Sequence, residues 1–179
     1  AQDKTACIHG HFLPFKYRYL TPEAQFVTWM RDPVTRLRSH YDFWRREYDP
    51  ATAGRVHRQM MTQDWSFERF ALGPELRNIY ARFLWRFPLH EFAFVGVFEH
   101  LETDTADFVA RFLDPRWASS PQTAAKMPEK MRSGAVVASE PEWLAAKIYR
   151  WHSVDAALYQ QACTLRMQRI ASTPVTACP

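Results

Sequence analysis

Residues 25–48 read QFVTWMRDPVTRLRSHYDFWRREY. The first six are short, apolar and β-branched or aromatic in part, which is the pattern of a buried strand over 25–30. Arg31 stands where that strand ends. Asp32 fits an N-cap, and Pro33 fits the first helical position, where its missing N–H is not needed. Val34, Leu37, Tyr41, Trp44 and Tyr48 then recur three and four apart and form one apolar helical stripe. Ser39 falls on the other side. A strand that delivers an arginine to the mouth of a helix is suited to an anion, because open α/β sheets bind ligands beyond the carboxyl ends of their strands.

Arg31, Asp32, Pro33, Arg36, Ser39, His40 and Tyr41 fall in the pattern R-D-P-x-x-R-x-x-S-H-Y. This string resembles the 3′-phosphate-binding segment of the sulfotransferases that use 3′-phosphoadenosine-5′-phosphosulfate (PAPS). The resemblance implies a P-loop-NTPase-like sulfotransferase fold: α/β, with a mainly parallel central sheet flanked by helices. It also implies that Arg31 and Ser39 bind the 3′-phosphate of PAPS and of its product, adenosine 3′,5′-bisphosphate (PAP).

Upstream, residues 5–8 read as a short strand, followed by His9-Gly10-His11-Phe12. Two histidines around a glycine let backbone and ligand approach closely, and no third ligand stands at a spacing that makes a metal site. The string resembles the H-G-H segment of glycan-type enzymes similar to heparan sulfate 2-O-sulfotransferase. That likeness makes His11 the base for an acceptor hydroxyl and His9 its helper. An imidazole with an ordinary pKa near 6.5 suits that task. PAPS enzymes also carry a P-K-x-G-x-T loop before this point, which wraps the 5′-phosphosulfate. The sequence has none, so the expectation is an N-terminally truncated domain or one that has lost donor activation.

Lys16 and Arg18 lie in a proline-containing loop near the histidines. Lys16 faces an anionic acceptor if the likeness holds, and is otherwise a solvated charge. Residues 49–63 read as an exposed linker or lid, 66–72 as a short helix capped by Ser66, and 74–85 as a second helix with Leu76, Ile79, Tyr80, Phe83 and Leu84 buried. Asn78 and Arg82 stand four apart on it and share a face. The segment NIYARFL resembles a glycan-sulfotransferase stretch, making both candidates for substrate binding or for bracing the cleft.

Residues 92–98 (FAFVGVF) form a second apolar run and hence another interior strand. Asp104 is expected to cap the next helix, whose Phe108, Val109, Phe112 and Leu113 face inward. The unit resembles the family's V-G-x-x-E strand and helix, in which Glu99 is architectural. Residues 114–137 are long, polar and basic for a turn. By resemblance, a segment here folds over the nucleotide, with Lys126, Lys130 and Arg132 as candidate contacts. Helices over 140–151 and from Ser153 close the chain, the last with Val154, Ala157, Leu158, Ala162 and Leu165 inward.

Composition narrows the classes. At 179 residues, with 47% hydrophobic and 15% aromatic residues, the chain fits one domain with a real core and is not disordered. Only five of the 23 basic residues are lysine, and arginine suits bidentate contacts to phosphate or sulfate. The aromatics sit at buried spacings, which argues against an RNA-binding face. No apolar run approaches a membrane span. Three scattered cysteines form neither a disulfide framework nor a zinc site, and a cytoplasmic, bacterial setting is expected. Two function classes remain: a PAPS-dependent sulfotransferase acting on a carbohydrate hydroxyl, and a non-catalytic nucleotide- or anionic-glycan-binding domain of the same descent.

Overall fold

A computed structural model describes residues 9–11, 13–19, 23–113 and 140–172. The described residues are α/β and mostly helical, with two parallel strands. Strand β1 (Val27–Met30) pairs with β2 (Phe94–Val97) in the register Val27↔Phe94 to Met30↔Val97. The expected strand over 25–30 is thus present but begins two residues later. Every residue of β2 is buried, as an unbroken apolar run requires. Gly96 faces Trp29 across the pair, and a Cβ at Gly96 would overlap the indole.

Helix α1 (Pro33–Arg46) follows β1 as the sequence predicts. Asp32 caps it by accepting from the N–H groups of Val34 at 2.9 Å and Thr35 at 3.1 Å. Its Val34, Leu37 and Tyr41 are buried, and Tyr48 lies beyond its end. Residues 49–63 are not a bare linker, because they contain α2 (Arg55–Thr62). Val56 and Met60 stand one turn apart and supply an inward stripe that the surrounding polar residues conceal; Met60 is buried. Helix α3 (Phe67–Leu72) is capped by Ser66, whose Oγ accepts from the Arg69 N–H at 3.2 Å.

The helix expected over 74–85 is broken. A 3₁₀ turn (Pro74–Leu76) is followed by α4 (Ile79–Phe83), and Asn78 between them is left-handed at φ 50°. Phe83 is exposed rather than buried. After β2 comes α5 (Leu101–Phe112), which starts before Asp104. Asp104 is therefore not its cap. It is buried inside the helix and accepts from the Val97 N–H at 2.8 Å while pairing with Arg166 at 2.8 Å and Arg169 at 3.1 Å. Helices α6 (Glu142–Trp151) and α7 (Ser153–Ala171) close the chain. The Ser153 side chain makes no cap bond, and Val154 is exposed. Ala162 is buried as expected, and Leu158 and Leu165 pack against the strands, whereas Ala157 is exposed; Asp155 and Arg166 add buried polar positions that an apolar count misses.

Two packed clusters result. Val34, Leu37, Tyr41, Phe67, Phe70, Leu144 and Ile148 join α1, α3 and α6. Met30, Val95, Val97 and Ala162 join the strands to α7, and α5 also packs on β2. Among the described residues, no helix is long and apolar enough to cross a membrane. The expected strand over 5–8 and the basic segment with Lys126, Lys130 and Arg132 lie outside the described residues.

Candidate functional site

The carboxyl ends of β1 and β2 meet at one corner, where the chain leaves β1 into Arg31-Asp32 and leaves β2 into Phe98-Glu99. Arg31 is held there from both sides of its peptide. The Tyr80 hydroxyl accepts from the Arg31 N–H at 3.0 Å and donates to the Arg31 carbonyl at 3.0 Å. Its guanidinium lies 4.4 Å from the Phe98 ring centre, and its Nε donates to Thr35 Oγ1 at 3.2 Å. Both terminal amino groups remain without a hydrogen-bond partner among the described residues. Burial lowers the Arg31 pKa and Glu99 opposes that shift, but an arginine stays cationic throughout the working pH range.

Ser39 is exposed and one helical turn beyond Thr35 on the same stripe of α1. Four residues of helix advance about 6 Å. The first N–H groups of α1 are not free, because Asp32 already occupies them.

The two acids of the corner are committed to internal bonds. Glu99 Oε1 accepts from the Asp32 N–H at 3.0 Å and from Thr35 Oγ1 at 3.2 Å, and its Oε2 accepts from the Tyr159 hydroxyl at 3.0 Å. Asp32 Oδ2 accepts from the Tyr149 hydroxyl at 2.6 Å. Glu99 is thus architectural, as its sequence context implies. Burial and these carboxylates push the Tyr149 and Tyr159 hydroxyls well above the usual tyrosine range, and burial pushes Tyr80 up to about 12. All three are hydrogen-bond donors at neutral pH, not bases.

Behind the corner lies a buried polar network. Asp155 accepts from the N–H groups of Tyr80 and Ala81, each at 3.1 Å, and so caps the start of α4. Arg36 packs over the Tyr80 ring at 4.9 Å and pairs with Asp155 at 3.7 Å. His152 sits between the Ala71 carbonyl, 2.7 Å from Nε2, and the Asn78 N–H, which donates to Nδ1 at 3.3 Å.

The sequence-predicted residues separate into groups. Arg31 follows β1 with its Nε on Thr35, and Ser39 is exposed on α1 one turn beyond Thr35. His11 is exposed, 6.0 Å from the Phe83 ring, and near enough to His40, the neighbour of Ser39, to add to the repulsion acting on that imidazole. His9 and Lys16 are exposed and have no partner among the described residues. Asn78 Oδ1 accepts from the Asp155 N–H at 3.4 Å, and Arg82 donates to the carbonyls of Glu75 at 2.7 Å and Arg77 at 3.1 Å, so both brace the α4 region. Thr35, Phe98 and the three tyrosines escaped sequence reasoning. Thr35 alone left a signal, standing four residues after Arg31 on a helix start. No group of three or more metal-ligating side chains occurs among the described residues.

No family model, no curated protein and no solved structure matches the chain.

Proposed function

We propose that this chain is a PAPS-dependent sulfotransferase domain of P-loop-NTPase-like type, moving a sulfuryl group to a carbohydrate hydroxyl. One observation carries the reading. Arg31 is held at the carboxyl edge of two parallel strands with both terminal amino groups free among the described residues, and an exposed Ser39 stands one helical turn beyond Thr35, the residue that its Nε meets. Free forks of this kind suit phosphate, which accepts two parallel charge-assisted hydrogen bonds. Arg31 and Ser39 grip the 3′-phosphate of PAPS. His11 takes the proton from the acceptor hydroxyl as its oxygen attacks sulfur, the sulfur–oxygen bond to the 5′-phosphate breaks, and PAP leaves. His9 assists, and Lys126, Lys130 and Arg132 remain candidate nucleotide contacts.

Calorimetric titration with PAP tests the donor side. Arg31→Ala is expected to weaken binding by about 2 kcal/mol or more, roughly thirtyfold. An unchanged affinity removes the assignment. On the acceptor side, His11→Ala leaves PAP affinity intact and depresses sulfate transfer from PAPS, and equal turnover removes its role as base. PAP binding without transfer to any carbohydrate places the chain with non-catalytic nucleotide binders instead.

A further inference from the structure

His152 joins α6 to α7 and is wholly buried, with 0% of its surface exposed. Its two ring nitrogens face opposite demands. Nε2 lies 2.7 Å from the Ala71 carbonyl, which only accepts, so Nε2 carries the proton. Nδ1 lies 3.3 Å from the Asn78 backbone nitrogen, whose N–H only donates, so Nδ1 is bare. The neutral Nε2–H tautomer alone satisfies both partners. A second proton would set two donors against each other at Asn78 and leave a charge in a site closed to water.

The bond at risk leads to Arg31. Asn78 is the left-handed residue, at φ 50°, that turns the chain into α4. Its Oδ1 accepts from the Asp155 N–H at 3.4 Å, and the Asp155 carboxylate accepts from the N–H groups of Tyr80 and Ala81, each at 3.1 Å. The Tyr80 hydroxyl then holds the Arg31 peptide on both sides at 3.0 Å. The charges facing the imidazole are Arg36 from α1, Arg77 from the turn before α4 and Asp155 from α7, while α3 contributes the Ala71 carbonyl. Burial is the largest influence and lowers the His152 pKa; the Ala71 bond and Asp155 oppose that shift, and the two arginines add to it. Asp155 is already committed to two N–H groups, so a charged ring that turned toward it would compete for the oxygens that hold α4.

We propose that His152 is a proton-gated positioning residue for the Arg31 site: a proton gained from solvent at Nδ1 breaks its bond to Asn78, frees the start of α4 and slackens the Tyr80 clamp, so that anion binding weakens in mild acid. This inference rests on the reading of Arg31 as an anion site. The folded value lies below the ordinary one, so the closed network is fully favoured above about pH 6.5 and loses ground as pH falls. In the released state the ring regains an ordinary pKa near 6.5. A fall from about pH 7 to 5 therefore multiplies the released population, relative to the closed one, by up to about 25-fold. By reciprocity, an anion held at Arg31 makes the proton harder to add.

Two measurements test the gate. In the first, the wild-type chain, free of ligand, is titrated from about pH 7.5 to 5 and followed by amide and imidazole NMR. The Asn78, Tyr80 and Arg31 amides are expected to shift together, on one midpoint shared with the His152 ring and below its ordinary value. In Tyr80→Phe the Arg31 amide should drop out of that set, because the hydroxyl that ties it to α4 is gone. An Arg31 amide that stays still in the wild type, moves on a different midpoint from His152, or still follows His152 in Tyr80→Phe overturns the gate. In the second, calorimetry gives the PAP affinity of wild type and His152→Asn at about pH 7.5 and 5.5. The asparagine offers an amide oxygen where Nδ1 stood and does not titrate. Titration of the phosphate itself and of the other histidines enters both chains alike and cancels in their ratio. The wild type should lose at least about threefold more affinity than the variant over this interval, and equal losses overturn the proposal. The variant gives up the Ala71 bond; should it fail to fold, the NMR titration decides, since it alters no atom of His152. A chain that binds PAP at neither pH refutes the donor reading, while the shared midpoint still upholds or overturns the gate by itself.

Discussion

Tyr80→Phe isolates the clamp on Arg31. The substitution keeps the ring, and with it the packing under Arg36, but deletes one hydroxyl. That hydroxyl both accepts from the Arg31 N–H and donates to the Arg31 carbonyl, each at 3.0 Å. A net hydrogen bond contributes about 0.5–1.5 kcal/mol. Two are lost, but the site is only partly buried and water reaches the freed groups, so the expected loss of stability is about 1–2 kcal/mol. The loosened peptide also lets the guanidinium wander, which should weaken PAP binding by roughly three- to tenfold. The decisive measurement is a double-mutant cycle, with urea unfolding for stability and calorimetry for PAP. Tyr80 touches the proposed anion site through residue 31. In an Arg31→Ala background, Tyr80→Phe should therefore change PAP affinity by no more than about 0.5 kcal/mol, the limit of ordinary additivity error. Fully additive effects on affinity would refute the clamp, and so would a Tyr80→Phe chain as stable as wild type. The hydroxyl is pushed up to about 12, so the bridge should also survive at pH 10, where an ordinary tyrosine is half ionised.

Asp104→Ala should cost about 3 kcal/mol, because it strands the Val97 N–H and removes the ion-pair partner of Arg166. Arg169 keeps Asp107 at 2.8 Å, which holds the loss to the lower end of the range. A melting temperature lowered by about 10 °C in calorimetry is expected, and a change under 2 °C would remove the buried anchor. Stability should also fall in mild acid. Burial first, then Arg36, His57 and His11, lower His40 from 6.5 to about 4, and burial lowers His152 as well. Both folded-state values lie below the unfolded one, so the unfolded chain binds more protons in between. This stabilisation is full above pH 6.5 and is lost as pH falls toward 4. For His40 alone the loss between pH 7 and 5 is at most about 2 kcal/mol, and His40→Phe should flatten the decline in denaturant midpoint over that interval.

Much of the corner was legible because its signals are local. An apolar run, an arginine, an aspartate and a proline in succession specify a strand end, a helix cap and a first turn without help from the rest of the chain, and β1, Asp32 and α1 formed accordingly. The parallel partner β2 was legible for the same reason. What failed was non-local. Asp104 looks like a cap from its neighbours alone, and only the arrival of Arg166 and Arg169 from α7 makes a buried carboxylate tolerable inside α5. Asp155 is likewise hidden until the freed N–H groups of Tyr80 and Ala81 are in place. The same network explains the break at Asn78. Its left-handed backbone turns the chain so that His152 and Asp155 cap the start of α4, and no periodicity of apolar residues encodes that demand. In the site, Arg31 and Ser39 were singled out by their resemblance to a known motif. Tyr80, Tyr149 and Tyr159 come from three separate helices and leave no mark near residue 31.

Those tyrosines bear on an electrostatic difficulty in the proposed site. Two carboxylates, Asp32 and Glu99, lie beside Arg31, and free acids there would repel the phosphate proposed to bind it. Neither is free. Asp32 is occupied by two helix N–H groups and the Tyr149 hydroxyl, and Glu99 by a backbone N–H, Thr35 and the Tyr159 hydroxyl. Hydrogen bonds to a carboxylate disperse its charge into the protein and occupy its lone pairs. The guanidinium, by contrast, has only its Nε engaged. The negative groups are therefore spent on fixing the corner, and the positive one keeps both terminal amino groups without a hydrogen-bond partner among the described residues. A merely structural arginine would be expected to pair with the nearest acid, and the corner withholds that option by committing both acids elsewhere.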